Sequence, residues 1–383
     1  MENNLKTKFS LSNMLFLLAY IPALAISSFY TTLYNQIVPS IYMNLIVVIA
    51  LGILLFKFIL IDRHSFLEYV AYVFLGTIVT ASALNSHNKQ FAILIIFCMM
   101  AKNIKNDAVI KSYLWVSIGI LVVAYFSTKL GKIPDLMYTR DLIVRHSYGI
   151  IYPTDFAAHI FYICCAYVYL RFKNYSFKDM LFLLVIALIT YRQTDARLNF
   201  GMIILLAIST LLLKHSKLQF VMKKVWMIPI VSFLFTYFAT KYFTLNSHFF
   251  SILNKLFSGR LGIVQETMNE YGVKWFGQKI IEHGWGGKGF YLNTRIFKYT
   301  YIDSSYMRLW IIYGILASVL FLCVITFLLK KVNSKRLILI VSLVLLSGII
   351  EQHFIDIAYN PFFILLVADY FKEKETLLTC KNI

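Results

Sequence analysis

Long apolar runs recur along this chain with only short polar connections between them, and nothing else in the sequence narrows the fold so much. They lie at roughly 11–30, 37–61, 66–84, 90–101, 108–127, 154–170, 179–191, 198–213, 225–243, 304–329, 337–350 and 361–371. In lipid every backbone polar group must be satisfied within its own segment, so such a run crosses as a helix of about 20 residues. The pattern predicts an all-α polytopic membrane protein with about twelve transmembrane helices, residues 1–383 forming a single integral membrane domain. A hydrophobic content of 60% and a mean hydropathy of +0.71 exclude an ordinary soluble domain. Leu11–Tyr30 is followed by further apolar runs rather than a processing site, so it is expected to be retained as a helix.

A net charge of +19 would suggest nucleic acid in a soluble protein, but here the basic residues cluster between apolar runs. Orientation in the membrane explains them better, and no nucleic-acid partner is expected. With the amino terminus inside, Lys57 and Arg63, then Lys102, Lys105 and Lys111, then Arg171, Lys173 and Lys178 share one side. Lys214, Lys217, Lys223 and Lys224 follow, then Lys330, Lys331, Lys335 and Arg336, and a lysine-containing tail. Both termini are then cytoplasmic. The polar interval 244–303, between the ninth and tenth spans and carrying short helices, faces outward with the smaller interval Thr128–Pro153. Cys98, Cys164, Cys165 and Cys323 lie in spans and Cys380 in the tail, so neither a disulfide nor a cysteine metal site is expected in the long loop.

Arginine departs from this pattern. Of the ten, only Arg63, Arg171 and Arg336 fall inside, whereas Arg140, Arg145, Arg192, Arg197, Arg260, Arg295 and Arg308 fall outside or at the outer edge. The positive-inside tendency runs the other way, and lysine obeys it. A planar guanidinium fork suits phosphate oxygens, so an anionic ligand on the outer face is the simplest account. The runs 179–191 and 198–213 are too short for the hydrocarbon core at about 1.5 Å per residue. Their connection YRQTDARLN is therefore expected to sink to membrane depth with Arg192, Asp195 and Arg197, where ionisable groups are costly. An internal ion pair locking two helices is the alternative.

Within the long interval, Ser258 is placed to cap a helix running to Tyr271 and stopped by Gly272, with Ile263, Val264, Thr267, Met268 and Tyr271 on one stripe. Arg260 falls in its first turn, where the helix dipole disfavours a cation unless an anion is shared with the free N–H groups. A solvated arginine on an interfacial helix is the plainer reading.

The runs LFSGRLGIVQETMNEYG, GWGGKGF and TYIDSSYMRLWIIYGIL, together with RHSYGIIYPTDFA, TDARLNF and GIIEQHFIDIAYNPFFILL, resemble the bacterial polysaccharide repeat-unit polymerases of the Wzy type, which share an architecture with O-antigen ligases. The resemblance covers about Arg145 to the carboxyl end. It implies polymerisation of undecaprenyl-pyrophosphate-linked oligosaccharides into surface polysaccharide, O-antigen, capsule or exopolysaccharide, at the outer face of the bacterial plasma (inner) membrane. Membrane lipid, a flippase and a chain-length regulator are the further partners implied. The family's pyrophosphate-binding arginines map onto Arg197 and Arg260. Related ligases carry His-Asn where this chain has Asp303-Ser304, which leaves the base open.

Glycosyl transfer from a pyrophosphate needs cations for the departing phosphate and an acceptor for the proton of the attacking hydroxyl. Arg197, Arg260, Asp303 and His283 are the catalytic candidates. Arg140, Arg145, Arg192, Arg295 and Arg308 are candidates for binding pyrophosphate, and Trp285 and Tyr291 for stacking on sugar. Asp303 can equally be an N-cap. His283 in EHGWGG can be structural, and Trp275, Trp285, Tyr291, Tyr299 and Tyr301 can form an interfacial belt. No cofactor and no metal are expected, since the outer segments lack Asp-x-Asp and only Glu266 and Glu270 pair at i, i+4. A ligase that moves finished glycan to another acceptor, or a lipid-linked oligosaccharide flippase or transporter, are the other readings. A transporter should show internal repeats, and none is evident between the two halves.

Overall fold

The computed structural model of the protein describes residues 2–214, 222, 224–291 and 298–381. Among the described residues nine helices come first: α1 (Glu2–Tyr30), α2 (Ser40–Phe56, prolonged by a π turn to Ile61), α3 (Phe66–Ser86), α4 (Gln90–Met99), α5 (Asn106–Lys129), α6 (Pro153–Arg171), α7 (Phe177–Thr194), α8 (Arg197–Lys214) and α9 (Ile228–Lys241). Two polar-interval helices follow, α10 (His248–Leu256) and α11 (Arg260–Tyr271). The short α12 (Ser305–Arg308) runs through a π turn to Tyr313, before α13 (Ile315–Lys331), α14 (Lys335–Ser347) and α15 (Phe362–Lys381).

Among the described residues five helices are long and apolar enough to cross a membrane: Leu11–Tyr30, Ser40–Ile61, Phe66–Ser86, Asn106–Lys129 and Arg197–Lys214. Their outward faces are apolar as well. On α2, Leu45, Val48 and Ile49 are all more than half exposed (56%, 64% and 53%), which water would penalise and lipid does not. The chain is a helical membrane protein.

Several sequence expectations change. Helices α7 and α8 each hold 18 residues, about 27 Å at 1.5 Å per residue, so they outrun the apolar runs inside them and the shortfall behind the sunken connection shrinks to about 3 Å. They meet across Asp195 and Ala196, with Asp195 in the left-handed region at φ 45°. The interval after α5 is not simply loop. It folds into an antiparallel hairpin, β1 (Met137–Arg140) with β2 (Ile143–His146), turned by Asp141 and Leu142 at φ 49° and 66°. Lys57 is not a solvated orienting lysine either. Its ammonium is fully buried, bonded to Asp62 and to the carbonyls of Met100 (2.9 Å) and Lys102 (3.0 Å), so it neutralises a buried carboxylate instead.

The run 304–329 is broken at Gly314. Its φ is +94°, and a Cβ there would stand 2.2 Å from the backbone N of Gly277, itself at φ +82°. Only glycines allow this close approach. The strip after α11 thereby docks on the π turn that follows α12 and on the start of α13, with Gln278 N–H donating to Ile312 O (2.9 Å) and Ile315 N–H to Lys274 O (3.1 Å). The connection 348–361 is tied to the same place, since Ser305 N–H and Oγ both donate to the carbonyl of Glu351 (3.1 and 2.6 Å). Polar interval, hairpin and connection therefore gather at one end of the bundle.

Candidate functional site

Arg260 begins α11 as expected, but the cap differs. Gly259 at φ +83° occupies the N-cap, and Asn254 supplies the side-chain oxygen, accepting from Leu261 N–H at 3.1 Å. Ser258 sits just before it in the left-handed region and caps nothing. The guanidinium of Arg260 donates to the Asp303 carboxylate (3.0 Å) and to Ile350 O (3.3 Å). Asp303 also accepts from the Tyr299 hydroxyl at 3.0 Å. It is not the cap of α12: that is Ser304, whose Oγ accepts from Met307 N–H. Burial raises the pKa of the Asp303 carboxyl and outweighs the opposing Arg260 cation and Tyr299 hydroxyl. A carboxylate so placed holds a proton more readily than one in water.

Arg260 and Asp303 form part of the wall of a cavity of about 690 Å³, together with Arg140, Arg145, Arg197 and Glu351. Arg140 pairs with the buried Asp195 through Nε at 2.8 Å. Arg145 reaches in from β2 with its Nε donating to Thr194 O (2.7 Å) and its guanidinium 5.5 Å from the centre of the Tyr152 ring. It is only 4% exposed, and its Nη2 has no hydrogen-bond partner within the protein. Burial, with Arg140 nearby, lowers its pKa despite Tyr152 and Asp195. Such a buried donor costs free energy until something accepts from it. Arg197 stands at the rim, 59% exposed, with Asp141 at 3.6 Å and Asp195 at 3.7 Å.

A second cavity of about 340 Å³ shares Tyr152, Thr154, Trp285, Tyr299 and Asp303 with the first. Asp155, Glu282, His283, Tyr301 and Gln352 are among its own lining. The GWGGKG loop forms one wall. Gly287 N–H donates to Ile151 O (3.1 Å), and a Cβ on Gly286 would meet Ile151 Cγ2 at 2.7 Å. The hairpin holds the same loop from the other side, as Tyr138 donates to Trp285 O at 2.7 Å. His283 is fixed through its backbone, its N–H donating to Thr300 Oγ1 (2.9 Å) and its carbonyl accepting from Thr300 N–H (3.1 Å).

Three further residues inside the quoted motifs are brought together only by the fold. Asp155, in the first turn of α6, accepts from His353 Nε2 at 3.0 Å, and Glu351 faces His353 Nδ1 at 3.2 Å. Glu351 further accepts from Asn199 Nδ2 at 2.9 Å. Burial lowers the His353 pKa, but the two carboxylates outweigh it and push it up to about 9. The imidazolium joins Glu351, on the wall of the larger cavity, to Asp155, on that of the smaller.

Other sequence candidates lie elsewhere. Arg308 lines neither cavity: it is 2% exposed, bidentate to Glu282 at 2.8 Å through both Nη atoms, and bonded to Ile302 O. Its role is to pin the polar strip to α12. Arg192 is exposed on the last turn of α7, outside the cavity lining, and Tyr291 is 64% exposed and also outside it. Arg295 lies outside the described residues. Glu266 pairs with Lys298 at 2.6 Å. Among the described residues no group of three or more His, Cys, Asp or Glu is disposed to hold a metal ion. The chain matches no protein-family model, no curated protein and no solved structure.

Proposed function

We propose that this protein is a membrane glycosyltransferase that polymerises undecaprenyl-pyrophosphate-linked oligosaccharide repeat units on the outer face of the bacterial plasma membrane. One observation carries the reading: four arginines surround one cavity, and the buried Nη2 of Arg145 has no acceptor there. Several converging guanidinium forks fit a pyrophosphate better than a single carboxylate, and they also stabilise the charge that grows on a departing phosphate. Asp303 lies beside them as proton acceptor. In the reaction, an acceptor hydroxyl oxygen forms the new bond to the anomeric carbon. The bond from that carbon to the phosphate oxygen breaks, its electron pair leaving on undecaprenyl pyrophosphate, and the hydroxyl proton passes to Asp303. A ligase would share the donor and differ only in the acceptor.

Binding of inorganic pyrophosphate to the purified protein tests the donor half. Arg145→Lys and Arg260→Lys keep the charge but lose the fork, so each should weaken binding about 10- to 100-fold, the range for hydrogen bonds to charged groups. Wild-type affinity in both variants would remove the arginines from the donor site.

The orientation, with twelve spans and both termini cytoplasmic, is part of the proposal. In a cysteine-free background, cysteine at Lys274 should react with an impermeant thiol reagent on intact cells, and cysteine at Lys335 should react only after lysis. The opposite pattern would put the arginine cavity in the cytoplasm and end the outer-face reading.

A further inference from the structure

We infer that the 340 Å³ cavity is the acceptor subsite and takes the terminal sugar of an oligosaccharide, a neutral sugar rather than a uronic acid. This rests on the transferase reading. The volume is at the small end of ligand pockets, about 300–1,000 Å³. Its lining has the two features that bind sugars: aromatic faces, from Trp285, Tyr299 and Tyr301, and polar groups for hydroxyls, from Asp155, Glu282 and Gln352. Hydrogen-bond acceptors dominate that polar set, and hydroxyls can donate to them.

Position separates this cavity from the donor site. The two chambers have a common wall of Tyr152, Thr154, Trp285, Tyr299 and Asp303, and the arginines line only the larger. Asp303 is the one ionisable carboxylate in that wall. A base between donor and acceptor can take the proton from a hydroxyl in the small chamber as its oxygen turns toward an anomeric carbon in the large one. The acceptor C–O bond forms, the bond to the pyrophosphate oxygen breaks, and the proton stays on Asp303.

Charge selects the sugar. Asp155, Glu282 and Asp303 all line the small chamber, against Lys288 and His283. Glu282 is matched by Arg308 and Asp155 by His353, two cations outside the chamber lining, so both carboxylates are held in place at its wall. A sugar carboxylate would be repelled by them without a fork to receive it. Gln352 has its Oε1 engaged by the Tyr301 hydroxyl at 2.5 Å, which orients its amide at the chamber wall.

The test is photo-cross-linking of the full chain in nanodiscs with diazirine-bearing methyl glycosides: glucoside, galactoside, N-acetylglucosaminide and glucuronide. The neutral probes should label within 282–289 or 299–303, without competition from inorganic pyrophosphate, and labelling should exceed that by the glucuronide. Gln352→Leu should lower the label about tenfold, as expected for one lost hydrogen-bond partner. If that variant does not fold, the mapped position of the wild-type label decides alone. Labelling elsewhere, labelling indifferent to Gln352→Leu, or an equal signal from the glucuronide overturns the assignment. Pyrophosphate protection against melting, run in parallel with Arg260→Lys, separates the two ideas. Glycoside labelling without pyrophosphate binding leaves a sugar site and removes its acceptor role, whereas pyrophosphate binding without glycoside labelling removes the subsite and leaves the donor reading intact.

Discussion

Asp303→Asn is expected to fold and insert as the wild type does and to lose turnover by about 10²- to 10⁴-fold, the usual contribution of a positioned general base. The substitution is informative because the cap of α12 is Ser304, which leaves the proposed base as the role under test at Asp303. Ser304 caps α12, so the cap survives the change; its own loss in Ser304→Ala should cost about 1 kcal/mol of stability and leave the chemistry in place. An asparagine carbonyl still accepts from Arg260 and from Tyr299, which keeps both hydrogen bonds that hold position 303. Arg260 also retains Ile350 O and the nearby Glu351 charge, so it is not left unmatched. The proton acceptor alone is gone. Polymerisation of purified lipid-linked repeat units is the readout, with His283→Gln alongside. Because burial raises the Asp303 pKa, wild-type turnover should fall off on acidification at a higher pH than an ordinary carboxylate base would give. An active Asn variant beside a dead Gln variant would transfer the base to His283, and activity in both would leave only leaving-group stabilisation and positioning.

The helical membrane architecture was readable because it depends on composition over long windows, which no tertiary contact can reverse. The arginine excess was readable for a related reason: it breaks a rule that lysine keeps. Contacts between distant residues were not. Arg308 resembled the other outward arginines as sequence, and only its pairing with Glu282, 26 residues away, gives it a structural task. His353 and Asp155 are separated by 198 residues, and no spacing along the chain shows that a buried imidazole will meet two carboxylates. The hairpin did leave a signal. Residues 137–146 read MYTRDLIVRH, two short β-prone stretches around a two-residue turn, although Asp-Leu is an unusual pair for positions that need positive φ. Helices α7 and α8 outrun the apolar runs 179–191 and 198–213 because polar residues at their adjoining ends, Arg192, Gln193 and Arg197, continue the helices.

His353→Gln should destabilise the protein by about 3–5 kcal/mol at neutral pH, since it leaves Asp155 and Glu351 without the cation between them. The pH dependence follows from the same contacts. The folded pKa is about 9 against an ordinary value of 6.5, so the charged imidazole contributes its stabilisation fully below pH 6.5 and loses it as the pH rises through about 9. At about 1.4 kcal/mol per pH unit that interval corresponds to about 3 kcal/mol. Wild-type protein in detergent should therefore melt at progressively lower temperature between pH 7 and pH 10, and His353→Gln should remove most of that slope while tyrosines and lysines common to both proteins contribute equally. Asp155→Asn gives a second handle, because it removes one of the carboxylates that raise the pKa and should move the loss of stability to lower pH. The readout reaches function through geometry: Glu351 lines the arginine cavity and Asp155 the smaller one, so deprotonating His353 loosens a contact that spans both walls. Superimposable pH–melting curves for wild type and His353→Gln would show that the imidazole is neutral in the folded protein, and the charged link between the cavities would have to be abandoned.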